Sequence, residues 1–551
     1  MTDQPRLIQN VRIVDPASGT DCVGALGMAD GRIVDAKTLV GQPHVEVIDA
    51  SGMVAMAGGI DLHTHIGGGK LTIARMLLGD APEVQADHFL PTVSQTAERY
   101  LDMGYTTCFE PAMLPSNARA AHSEMVDVRG LDTGGYCLLG NDETLLSMIA
   151  DDVPQGLIND YVAFMVRATR AMAVKVVNPG GIDAFKYNVR SFDVDSRHPR
   201  YNITPGDIIR RLCRAVHEIG LVHPLHVHAS NLGVPGNIES TLATIKAADG
   251  LPIHLTHVQF HSYASTGDEE GHSALGSAAD RLVDAMRKNP NVTVDVGQVM
   301  FGQTVTISAD AMHQTANLKF ANPKRSMILA IECEAGCGVV PFRYRRKNFV
   351  NAMQWAIGLE LFLMIDDPSR VFLTTDHPNG GPMTTYPHLI RLLGDRSFRE
   401  TALSEIHPDA AASCSLRGLE REYSLSDIAS MTRSGPAAVL GLSDRGTLAP
   451  GKIADVTIYR GQADWEAMFS RPEYVFRRGN LVRRAGRTVA SEMTSDSTLI
   501  APVEFDPRSI PIIRERYEAT STHGLDRLWI HEEEIGEGFR CETGTVRERV
   551  Q

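Results

Sequence analysis

Histidine recurs in this chain at spacings suited to binding a metal. His63 and His65 stand at i and i+2 in GGIDLHTHIGG. On a strand that spacing turns both imidazoles to one face, and the flanking glycines let the backbone close around a compact site. His226 and His228 in PLHVHASN share a face in the same way. One of this pair is expected to bind metal and the other to support it, with His228, nearer the end of the run, favoured as ligand and His226 as the supporting group. His257 ends the run IHLTH, with His254 three residues earlier on the expected opposite face and His261 beyond. Lys175 lies between valines in AVKVVNPGG. A buried lysine is costly unless it is paired or loses its charge. Addition of CO2 to the amine removes that charge and makes a bridging carboxylate. Lys186 in AFKYN is the competing lysine. Asp376 closes VFLTTD and can both hold a metal and move a proton. Four imidazoles, a carbamate and a carboxylate suit a borderline cation, with Zn2+ the first choice.

These residues need a scaffold that delivers strand ends to one place. Apolar runs at 60–65, 105–112, 136–140, 173–177, 224–229, 253–258, 292–299 and 371–376 alternate with helical stretches such as 88–104 and 205–220. Eight strands each followed by a helix or loop predict an α/β fold, a (β/α)8 TIM-like barrel whose site lies at the C-terminal ends of the strands. Nearly seventy residues separate the seventh and eighth runs, more than a crossover needs, so an insertion at 300–370 is expected to fold by itself. The first segment alternates apolar and polar residues, breaks at Pro16 and carries a hairpin signal at Asp30-Gly31. Short strands with Pro-Gly turns return in RGTLAPGKIADVTIY. The expected organisation is therefore a small β-sandwich in two parts, 1–56 and 431–495, around a barrel at 57–430, with a C-terminal extension at 496–551.

Bulk properties exclude several classes. The chain has 551 residues, with 53 basic and 67 acidic side chains and a net charge of −14, the opposite sign from a nucleic-acid binder. No apolar run reaches the ~18–20 residues of a membrane helix, and the first residues lack a signal-peptide pattern, so a cytoplasmic location is expected. Eight scattered cysteines form neither a disulfide framework nor an iron–sulfur pattern; Cys333 and Cys337 are the one close pair.

The His-x-His strand, the lysine, the two later histidines and the aspartate, in that order, resemble the amidohydrolase superfamily, as do the flanking VRIVDPASG, DGRIVDA, PAAVLGL and RGTLAPGKIADV. Within it, HIGGGKLTIAR, MGYTTCFEPAM, VKVVNPGG, HVHASNLGVPGN, VDVGQVMFGQT and VVPFRYRRKNFVNAMQWAIGLEL resemble the A components of formylmethanofuran dehydrogenases and of the related bacterial formyltransferase/hydrolase complexes. The resemblance implies two Zn2+ ions and a carboxylated Lys175, with His63, His65, His228, His257 and Asp376 as the other ligands and Asp376 as the catalytic group. It implies hydrolysis, or the reverse condensation, of an N-formyl aminomethylfuran, inside a larger one-carbon complex. Such carriers bear an anionic glutamyl tail, for which Lys70, Arg75 and the basic run Arg343, Arg345, Arg346 and Lys347 are candidates; Asn178 and Asn231 are further substrate-binding candidates. A dihydropyrimidinase-, hydantoinase- or dihydroorotase-like hydrolase of a cyclic amide would share the metal ligands but not these runs.

Overall fold

The computed structural model describes residues 4–78, 90–265, 275–308, 329–331, 337–489, 497–536 and 539–549. Eight strands run parallel in chain order: Gly59–Asp61, Tyr105–Met113, Asp132–Leu139, Ala173–Val177, Leu225–His228, Ile253–Leu255, Val292–Asp295 and Val371–Phe372. Each overlaps one predicted run. The sheet curls until its ends meet, where the Thr374 hydroxyl donates to His63 O at 2.7 Å and His65 N–H donates to His377 O at 2.9 Å. Strands such as Ala173–Val177 are buried along their whole length, as a sheet covered by helices requires. Two covering helices have reciprocal caps, Thr92 with Gln95 for Val93–Asp102 and Thr204 with Asp207 for Pro205–Glu218.

Several strands are shorter than the runs that foretold them. Pairing in the first, sixth and eighth ends at Asp61, Leu255 and Phe372, so His63, His65, His257 and Asp376 stand two to four residues beyond the ladders. The mouth of the barrel is thus laced by irregular bonds, such as Thr64 N to Phe109 O at 3.1 Å and Thr256 N to Val227 O at 3.0 Å.

A nine-stranded sheet joins the two ends of the chain. Arg6–Asp15 pairs antiparallel with Thr20–Ala29 and parallel with Met53–Ala57, and Met53–Ala57 pairs antiparallel with Val456–Arg460. The Ala29–Arg32 register leaves Asp30-Gly31 as a two-residue turn, with the positive φ values (50° and 73°) that a type I′ hairpin demands. Between the seventh and eighth barrel strands, Gly302–Ser308, Cys337–Tyr344 and Leu329–Ile331 form an antiparallel sheet, followed by the buried helix Phe349–Met364. Cys333 lies outside the described residues. The segment after 496 does more than extend the chain: Thr498–Ile500 pairs parallel with the third barrel strand, and Cys541–Thr543 pairs with Thr498–Ile500. Among the described residues no helix is long and apolar enough to cross a membrane.

Candidate metal centre

His63 and His65 each have a carboxylate behind them. His65 Nδ1 lies 2.8 Å from Glu110 Oε1, and His63 Nδ1 lies 3.3 Å from Asp295 Oδ2 and 2.9 Å from His226 Nε2. An ionised carboxylate only accepts, so it holds a proton at Nδ1 and leaves Nε2 as the atom that a proton or a metal cation can take. Both Nε2 atoms then face one oxygen: Asp376 Oδ1 is 2.9 Å from His63 and 3.5 Å from His65. These three donors lie within 4.8 Å of one another, and His228, His257 and His261 form a second such group.

Lys175 Nζ is buried 3.5 Å from His63 Nε2. Its charge is felt by both groups. Burial, then His228, His261 and Lys175, push His257 well below the ordinary imidazole pKa, so that ring is neutral and ready to ligate. Its buried Nδ1 has no hydrogen-bond partner. At His63, burial and Lys175 pull the pKa down, yet Asp295 and Asp376 outweigh them and hold it above the ordinary value. Burial pushes the Asp376 carboxyl up, and His63, His65 and Lys175 bring it below its usual range. A cation competes with a proton for that site. The donor set fits one: neutral imidazoles, an ionised carboxylate and carboxylate-backed histidines are the make-up of a Zn2+ centre.

The backbone is strained where these side chains emerge. His257 has φ 37° and Asp376 φ 50°, left-handed values that bulky residues seldom adopt, and Asn178 and Asn231 share that region at 42° and 59°. Gly297 makes the His257 turn feasible, because a Cβ there would sit 2.2 Å from His257 Cβ.

All six expected ligands thus surround one mouth. His226 sits behind His63, as a supporting group would, and is itself backed by His223 at 3.0 Å. His254 corrects its expected outward orientation. It packs 4.5 Å from the His226 ring and reaches Asp295 Oδ2 at 3.1 Å, because the turn at His257 breaks the two-residue alternation. Lys186 pairs with Asp183 at 3.0 Å instead of reaching the histidines. Asn178 presents a buried Oδ1 without a hydrogen-bond partner, whereas Asn231 donates to Ser240 at 2.9 Å. Arg75 is engaged by Glu124 at 3.1 Å, Pro91 O at 3.0 Å and Ile66 O at 3.1 Å. Lys70 belongs to the helix Gly69–Leu78. Arg345 follows the inserted strand Cys337–Tyr344, and the exposed Arg346 pairs with Glu405.

Sequence reasoning missed Glu110, Asp295 and the grouping of His261 with His228 and His257. Asp295 is a hub: its Oδ1 accepts His257 N–H at 2.7 Å while Oδ2 faces His63 and His254. A lone acid ending VTVD in a buried run was the available signal.

Residues 46–489 match the Amidohydrolase family. The chain is 43% identical over 531 residues to the A component of the formyltransferase/hydrolase complex Fhc of Methylorubrum extorquens, covering 94% of this chain and 95% of that one. It is 35% identical over 523 residues to protein FwdA of Methanocaldococcus jannaschii, covering 88% of each. A chain in the crystal structure of the FhcABCD complex from Methylorubrum extorquens with methylofuran superposes with a TM-score of 0.91 at 41% identity, covering 98% of this chain and 100% of that one.

Proposed function

Because the chain belongs to the amidohydrolase family, we propose that it is a zinc hydrolase of an N-formyl aminomethylfuran, releasing formate and the free amine or running the reverse condensation as one member of a formyltransferase/hydrolase complex. The observation that carries this reading is the convergence of His63 Nε2 and His65 Nε2 on Asp376 Oδ1, with a carboxylate fixing each ring from behind. The likeness to the A component of Fhc along nearly the whole chain supports a formyl carrier over a cyclic amide.

His63, His65 and Asp376 would hold one ion, and His228 and His257 the other, with Lys175 reaching both. A zinc pair there supplies Lewis acidity for the formyl oxygen and a water acidified from about 15.7 toward about 7. Lys175, buried beside imidazoles, would lose its ammonium proton and then, as the amine, add CO2 with release of a second proton, giving a carbamate whose charge suits two cations. Asp376 takes a proton from the attacking water and delivers it to the leaving nitrogen. One water is consumed, the formyl C–N bond breaks, and formate and amine leave. Glu110 and Asp295 hold the His65 and His63 rings in the ligating tautomer throughout. Arg345 and Arg346 offer positive charge to a glutamyl tail.

The test is an assay of zinc-loaded protein, alone and with its complex, on an N-formyl aminomethylfuran and on dihydroorotate and hydantoin. Formate release from the first and no turnover of the others is expected, with about two zinc ions per chain. Charge reversal at Arg345 and Arg346 is expected to weaken only the glutamylated substrate. Turnover confined to the cyclic amides, or a zinc-free chain, would overturn the proposal.

A further inference from the structure

The loop after Asp376 is tied to the insertion by three bonds. The Thr304 hydroxyl donates to Pro378 O, Ile307 N–H donates to Asn379 Oδ1 at 2.6 Å, and the Tyr344 hydroxyl donates to Asn379 O at 3.0 Å. All three come from the paired strands Gly302–Ser308 and Cys337–Tyr344. That pair is itself anchored, since Val305, Ile307 and Val339 pack against Leu71, Ala74 and Leu78 of the helix Gly69–Leu78.

The Asn379 side chain then has one possible orientation. Its oxygen must face the Ile307 N–H, so its NH2 group points the other way, where Nδ2 donates to Asp376 Oδ2 at 3.0 Å. With Oδ2 held, Asp376 Oδ1 is the oxygen that faces the Nε2 atoms of His63 and His65. Without that bond the carboxylate is free to turn about its last torsion and exchange its oxygens.

We propose that Asn379 is a positioning residue through which the inserted strand pair sets the orientation of the Asp376 carboxylate. The insertion would then act as part of the metal centre although its described residues supply no ligand to it. The idea rests on the reading of Asp376 as a metal ligand.

The test uses full-length protein loaded with Co2+, whose visible absorption reports ligand geometry, with affinity measured by chelator competition. Asn379→Ala is expected to weaken Co2+ binding about 10- to 100-fold, the range for groups that orient metal ligands, and to shift the absorption bands. Tyr344→Phe, which touches no ligand, is expected to shift the bands in the wild-type background and to add nothing in the Asn379→Ala background. Unchanged bands and affinity in Asn379→Ala would overturn the proposal, as would a Tyr344→Phe effect that simply adds. Should Asn379→Ala not fold, Tyr344→Phe alone decides, unchanged bands again counting against it. Wild-type protein that takes up no Co2+ would instead sink the metal-centre reading and this inference with it.

Discussion

At the start of the third barrel strand, Asp132 meets Arg445 at 2.9 Å, Arg477 at 3.0 Å and Arg478 at 3.4 Å. At the other end of the strands, His63, His65 and Asp376 meet one another. The first cluster pairs every charge with an opposite one. Glu542 binds Arg478 at 2.6 Å and Arg445 at 3.0 Å, Asp455 binds Arg477, and Asp444 lies 3.7 Å from Arg445, so three guanidiniums face four carboxylates. Burial pushes the Asp132 carboxyl up, but the arginines, Arg477 foremost, bring it down to about 2. The second cluster brings His63 Nε2, His65 Nε2 and Asp376 Oδ1 together, an arrangement that a cation would close. A buried set of paired opposite charges is architecture; one whose ligand atoms converge is a candidate binding site. The Asp132 cluster also joins three parts of the chain: the barrel, the strand Tyr474–Arg477 of the small sheet, and the C-terminal strand Cys541–Thr543.

The contrast breaks if stability and activity fail to separate. Asp376→Asn is expected to lower the hydrolytic rate by about 10²- to 10⁴-fold, the usual contribution of a general acid–base group, which is about 3–5 kcal/mol of barrier. Metal-free protein carrying the change should lose far less stability than rate, because the partners of the lost charge, His63, His65, Lys175 and Asn379, all lie at the mouth. A matching loss of stability would make the mouth architectural after all.

The converse change is Asp132→Ala. Removing the acid takes away the fully buried carboxylate that meets all three guanidiniums, and breaking such a cluster costs about 3–5 kcal/mol. Denaturant unfolding should show that loss, while the rate per folded, metal-loaded molecule stays at the parent value. A variant as stable as the parent would mean that the arginines find water or other partners, and the joint between the three segments would lie elsewhere.

The two clusters were unequally legible. Barrel strands buried on both faces leave long apolar runs, and histidines, a lysine and an aspartate stand out at the ends of such runs, so the mouth could be read from residue types alone. Glu110 and Asp295 could not, because their partners His65 and His63 come from another strand and only the sheet order brings them together. His254 was misjudged because nothing in the residue type of His257 announces a left-handed backbone; Gly297, which makes room for it, lies forty residues away. Asp132, Arg445, Arg477 and Glu542 are separated by up to 410 positions, and their pattern of single charges matches any solvated surface. The strand Thr498–Ile500 is three residues long and owes its form to two distant partners, the third barrel strand and Cys541–Thr543.

A buried histidine remote from both clusters sharpens the distinction further. His122 is fully buried, donates from Nε2 to Thr169 O at 2.8 Å, packs against Phe539 at 5.6 Å and has no partner at Nδ1. Burial, the dominant cause, lowers its pKa from 6.5 to about 4. The folded protein therefore keeps this ring neutral while the unfolded chain protonates it near pH 6.5. Its contribution to stability is full above that pH and is lost progressively as pH falls toward 4. Linkage puts the loss at about 2 kcal/mol by pH 5. His122→Gln keeps a donor for Thr169 and removes the titration. Between pH 7 and pH 5, urea unfolding should therefore lose about 2 kcal/mol more in the parent than in the variant. Equal losses would show that the ring is hydrated or charged in the folded state. Because His122 touches none of the metal ligands, that difference should persist with and without zinc, whereas acid sensitivity arising at the mouth should diminish when the ion displaces the proton.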